Sequence, residues 1–227
     1  MSSSEKISER ERKLRVELQK RTVGMYSDGV DERIDANDSP EVVAIGKEVS
    51  RLIDEEHLEE AREQLKKELA KKPNELGLLN LQIILDCLEK PFGSYDQAKK
   101  TVGRLMKIAV ENDNSYYTSV ALNNIGFIAN KEGLDEFSRV MYLAAHFIDK
   151  EALSTIYNLA GWYARKNMLE EAQKWVDLIL EISPDWQNDE KIVTFFRKRE
   201  SLENLRSYGP FKTKILAKLK GNKTAKN

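Results

Sequence analysis

Between Leu153 and Pro184 the chain reads LSTIYNLAGWYARKNMLEEAQKWVDLILEISP, two apolar stripes of helical spacing divided by a short polar break. Ile156, Leu159, Ala160 and Tyr163 make the first stripe, and Leu169, Ala172, Val176 and Ile179 the second. Arg165-Lys166-Asn167 marks a turn between them, and Pro184 cannot continue the second helix. Ala160 and Ala172 are small enough for two packed helices to approach closely, with Tyr163 and Val176 filling the space beside them. The stretch therefore predicts a helical hairpin.

The same pattern recurs 34 residues earlier, where Asn124, Ile125, Gly126, Ala129, Gly133, Ser138, Tyr142 and Ala145 fall opposite Asn158, Leu159, Ala160, Tyr163, Asn167, Ala172, Val176 and Ile179. An earlier copy has Asn80, Leu81 and Leu85 on its first helix and Ala98, Val102 and Leu105 on its second. Its offset to the next copy is 44, which the insertion around Pro91-Phe92-Gly93 explains. A more degenerate copy runs from Val42 to Pro73. In period and pattern these copies resemble the tetratricopeptide repeat family over about two thirds of the chain. The resemblance implies an all-α, right-handed α-solenoid of about four hairpins with a C-terminal capping helix.

Taken in order, residues 1–26 predict a charged helical arm with Ile7, Leu14 and Leu18 on one side, and residues 27–39 an acidic, turn-rich linker. The repeat domain spans 40–186. Ser39-Pro40 is a helix start, with Val42, Ile45, Val49 and Leu52 on the buried face, and Leu58, Ala61, Leu65 and Leu69 line the return helix. Leu78, Leu81, Leu85 and Leu88 precede the Pro91 turn, after which Ser94 and Gln97 make a candidate capping box. Residues 187–207 predict one capping helix, in which Ile192, Phe195, Phe196, Leu202 and Leu205 follow Trp186. Residues 208–227 form a basic tail that ought to be dispensable for folding beyond Gly209, although Phe211, Ile215 and Leu219 recur every four residues.

Charged residues make up 33% of the 227-residue chain and hydrophobic ones 41%, as expected when each helix buries one stripe and wets the other. A net charge of -1 gives no global attraction to nucleic acid or membrane. The first twenty residues carry charges throughout, so no secretory signal is expected, and no apolar run is long enough to span a bilayer. The single cysteine, Cys87, fits a reducing compartment. These features predict a cytoplasmic protein and leave its oligomeric state open.

No catalytic constellation stands out. His57 lies in an acidic turn, His146 lies beside a helix stripe as a packed or edge histidine, and Cys87 has no partner at metal-site spacing. Phosphate-binding glycine loops are missing as well. We expect no enzyme, cofactor or metal.

Binding chemistry is concentrated on the first helices of the hairpins. Asn80, Asn124 and Asn158 each precede the apolar residue of the pattern, and stacking would align three amides able to hold a peptide backbone. In the family the sequence resembles, asparagine at this place commonly grips ligand backbone. Lys131 and Arg165, seven residues further on, share nearly the same face and suit acidic side chains or a terminal carboxylate. Phe127 and Tyr157, with Leu79 and Ile83, would add apolar groove surface. The same asparagines can instead bridge adjacent helices, and the two cations can be ordinary helix-end charges. The first repeat carries Gly46 and Ser50 where the chaperone-tail-binding members of the family have lysine and asparagine, which argues against that subfamily.

The expected function is a non-catalytic scaffold, an adaptor, assembly factor or chaperone, that binds an extended or helical segment of another protein. The alternative is a nucleic-acid or anionic-surface binder using Lys212, Lys214, Lys218 and Lys220. Against nucleic acid, residues 209–227 lack arginine and carry one aromatic residue.

Overall fold

The computed structural model describes residues 38–89 and 95–219. Residues 1–37, which hold the charged arm and nearly all of the acidic linker, lie outside them, as do the Pro91-Phe92-Gly93 turn, Ser94 of the capping box and Lys220. Among the described residues every regular element is helical and no strand occurs. The chain divides into two compact units, Met1–Thr101 and Val102–Asn227.

In the first unit, α1 (Pro40–Asp54) starts where the Ser39 hydroxyl accepts from the Val42 amide at 3.4 Å, with Pro40 in the first turn. It packs on α2 (Leu58–Lys71), and α3 (Leu76–Glu89) packs on both. Val42, Val49 and Leu52 from α1 meet Ala61 and Leu65 from α2 and Leu78, Leu81, Leu85 and Leu88 from α3 in one core, with Ile45 and Leu69 partly buried at its margin. Every expected stripe of this unit thus faces inward. Lys72, just past the end of α2, pairs with Glu41 at the start of α1. The helix α4 (Asp96–Glu111) begins in this unit and ends in the second.

The second unit contains two hairpins, α5 (Ser115–Lys131) with α6 (Asp135–Ile148) and α7 (Leu153–Arg165) with α8 (Leu169–Ile182). Asn114 caps α5 by accepting from the Tyr117 amide at 2.9 Å. Within the first hairpin, Gly126 provides a notch for Tyr142: a Cβ there would lie 2.7 Å from its ring. Across the same seam Ser119 donates to the Ala145 carbonyl at 3.0 Å. The hairpins are joined by Trp162, whose Nε1 donates to the Asp135 carbonyl at 2.9 Å.

One corner recurs. After α1, α4, α5 and α7 the chain turns through a left-handed residue, Glu56, Asp113, Gly133 and Asn167 respectively. In each case the following amide reaches back five residues (His57 to Leu52, Asn114 to Ala109, Leu134 to Ala129, Met168 to Tyr163), closing a Schellman motif. Only one of the four is glycine, so three corners hold an ordinary L-residue in a conformation that disfavours it.

Beyond α8 the sequence reading needs two corrections. The expected single capping helix is a series of short pieces: a 3-10 turn at Trp186–Asn188, α9 (Glu190–Lys198), a second 3-10 turn at Glu200–Leu202, and α10 (Glu203–Arg206). Arg206 ties the bend by donating to the Phe196 and Arg199 carbonyls at 3.2 and 2.7 Å. The basic segment is also no mere tail, because α11 (Gly209–Phe211) and the π-helical turn Lys212–Leu216 follow directly. Phe211, Ile215 and Leu219 are buried in the same core as Phe195, Phe196, Val176 and Ile179. Their spacing of four puts three apolar residues on one face, and that face has a core to enter. Removing everything after Gly209 would open this core.

Candidate functional site

The first helices of the two hairpins, α5 and α7, lie side by side in the second unit and carry the polar residues singled out in the sequence. Asn158 Nδ2 donates to Asn123 Oδ1 at 3.0 Å. Seven residues along each helix, Arg165 donates to Asn130 Oδ1 at 2.8 Å. Seven residues is close to two helical turns, so these pairs are successive rungs on one seam. The partner of Asn158 is thus Asn123 and not Asn124, which is buried. Asn158 bridges adjacent helices here, and one of its two N–H donors is engaged in doing so.

The cations occupy the accessible end of this seam. Lys131 and Arg165 are both exposed, and Lys131 Nζ stands 5.4 Å from the centre of the Phe127 ring. Lys166, next to Arg165, pairs with Asp135 at the start of α6. A segment bearing carboxylates would meet two cations there beside the amide of Asn130.

The apolar lining expected for the groove is not on the surface. Phe127, Tyr157, Leu79 and Ile83 are all buried. For Tyr157 the cause is the C-terminal segment: its ring stacks on Phe195 at 4.2 Å between centres and 28° between planes. The cap also contacts α7 nearer its C-terminal end. Asn204 donates to the Ala164 carbonyl at 3.1 Å, and a Cβ on Gly161 would fall 2.5 Å from the Ser201 hydroxyl. No feature of the Tyr157 neighbourhood in sequence announces a stacking partner nearly forty positions away. Asn80, in the first unit, is buried as well.

Other singled-out residues have structural surroundings. His146 meets Trp175 edge-on at 4.9 Å, and Tyr163 lies parallel to the same indole at 6.4 Å. Burial, helped by the Lys150 charge and opposed by Asp149, pushes the imidazole below its usual pKa, as suits a packed neutral histidine. Cys87 is buried and takes part in no disulfide. Among the described residues no cluster of potential metal ligands occurs, and no helix is long and apolar enough to cross a membrane. Of the tail lysines, Lys214 contacts both carboxylate oxygens of Asp177 on α8 at 3.0 Å, while Lys212 and Lys218 are exposed. That pairing helps fix the buried Phe211–Leu219 face against the second hairpin.

Two residues that the sequence reading passed over, Asn123 and Asn130, complete the seam. The available signal was the polar run Asn123-Asn124, in which the repeat alignment selected the second position. Compared with known proteins, the chain matches no family model, no curated protein and no solved structure.

Proposed function

We propose that this protein is a non-catalytic scaffold of tetratricopeptide-like hairpins that binds an acidic segment of another protein across α5 and α7. The carrying observation is the pair of rungs Asn123–Asn158 and Asn130–Arg165, which hold two first helices of successive hairpins in register and set the exposed cations Lys131 and Arg165 at one end. In this reading the rungs keep the seam rigid, and recognition comes from the cations and the free acceptor and donor capacity of Asn130. Burial of Phe127 and Tyr157 removes the hydrophobic anchors from the groove, so the ligand is more polar than the sequence alone implied. The solenoid arrangement of all four hairpins, a cytoplasmic setting and an adaptor, assembly or chaperone role belong to the same proposal.

The test begins with proteins captured from the native lysate. The affinity of the purified partner is then compared for wild type and for Lys131→Glu with Arg165→Glu. At least a tenfold loss is expected, equivalent to about 1.4 kcal/mol. Unchanged affinity in a folded double variant would overturn the site. A steep salt dependence that survives the double variant would move recognition to the C-terminal lysines.

A further inference from the structure

We infer that the outward face of α6 is the interface of a twofold-symmetric dimer of this chain, formed by two antiparallel copies of that helix. Ser138, Tyr142 and Ala145 turn α6 toward its own core. On the opposite side Phe137, Val140, Ala144 and Phe147 share one narrow stripe. Phe147 is 81% exposed, Phe137 50% and Val140 48%, and Ile148 at the rim is 39% exposed. Bare aromatic surface at this density is not what a solvated helix face carries.

The choice of a second copy as occupant comes from the symmetry of the stripe. Its spacings are three, four and three residues, and it reads large, small, small, large from either end. When one helix is laid antiparallel on another about a twofold axis, residue i meets j and j meets i. Phe137 then faces Phe147 and Val140 faces Ala144, with the small pairs at the centre letting the backbones approach and the phenyl rings closing both ends. The helix dipoles are also opposed.

Area points the same way. With about 150–250 Å² for a whole aromatic side chain, these exposures amount to about 400 Å² of apolar surface. At the roughly 65% apolar share of a homodimer interface, that corresponds to about 600 Å² per copy, the low end for stable association. The dimer is therefore weak and reversible. It uses a face of α6 separate from the α5–α7 seam and does not depend on the groove proposal.

The full-length chain is weighed by size-exclusion chromatography with light scattering from about 1 μM to 1 mM, the range in which weak interfaces register. The mass is expected to rise from monomer to dimer. Phe147→Glu, at an exposed position where helix content should be retained, is expected to weaken dimerisation at least about thirtyfold. Orientation is read by oxidising a mixture of Phe137→Cys and Phe147→Cys chains. Mixed pairs should form in preference to self-pairs, since like positions in the antiparallel register lie about ten residues, or roughly 15 Å, apart along the axis. Wild type, whose Cys87 is buried, supplies the background. A monomer at every concentration, a dimer indifferent to Phe147→Glu, or a preference for self-pairs would each overturn the proposal.

Discussion

Asn158 donates its side-chain amide to the side-chain carbonyl of Asn123, 3.0 Å away and 35 residues earlier, so that two neighbouring hairpins are joined by a pair of identical side chains. The bond is partly buried, where a neutral hydrogen bond contributes about 0.5–1.5 kcal/mol net. We expect Asn123→Ala and Asn158→Ala each to lower unfolding stability by about that amount, and the double variant to cost less than their sum. A double-mutant cycle by urea denaturation measures the coupling, and strictly additive losses would show that the rung carries no stabilising contact.

Gly126 and Gly103 should respond oppositely to alanine. Both lie in helices, where alanine is worth about 1 kcal/mol over glycine when space permits. A Cβ on Gly103 meets nothing within 4 Å, so Gly103→Ala should stabilise. A Cβ on Gly126 meets the Tyr142 ring at 2.7 Å and the Ser138 carbonyl at 3.1 Å. The ring is fixed in the core and the carbonyl is backbone, so overpacking of about 1–3 kcal/mol should outweigh the propensity gain. Thermal midpoints that shift the same way in both variants would contradict this reading.

Phe211 belongs to the core although it opens a lysine-rich segment. Phe211→Ala should cost about 3–5 kcal/mol, as expected for a fully buried aromatic residue. Lys212→Ala, next to it and exposed, should stay within about 0.5 kcal/mol of wild type. Urea unfolding of the two variants separates a structural segment from a solubilising one.

Asp86, buried in the first unit, has its carboxyl held above the ordinary range. Burial dominates, and the bonds from Gln82 and Arg62 oppose it. A raised acid favours the protonated folded state, so its contribution is fully present below the unfolded pKa and is lost as pH rises through the folded value. Asp86→Asn should therefore compare better with wild type at pH 7 than at about pH 3.5, below the ordinary carboxylate range. Measuring the stability difference at both values tests the sign, and a deficit of the variant that shrinks toward acid would refute it.

The helices and their inward stripes were legible because they depend on local spacing, which each helix displays in full. Ser39 as a cap and the Asn167 turn belong to the same class. Burial set by distant chain was not legible. Tyr157 looked like groove surface because its stacking partner Phe195 lies on another element, and the Phe211-Ile215-Leu219 face looked optional because its lysine neighbours dominated the composition. Of the three asparagines expected in one row only Asn158 lies on this seam; its partner Asn123 and the buried Asn124 are chemically identical neighbours, and only the angular placement of α5 against α7 decides between them.

The notch at Gly126 also makes Tyr142 an optical reporter. Burial pushes its phenol up to about 12. The neutral phenol is the form the folded state prefers, so this contribution disappears as pH rises from the unfolded value near 10 through the folded one. In an alkaline titration followed by phenolate absorbance, Tyr142 ionises late, above the ordinary phenol range. Its delayed step marks the moment the α5–α6 hairpin opens, a signal native to the chain that needs no attached dye.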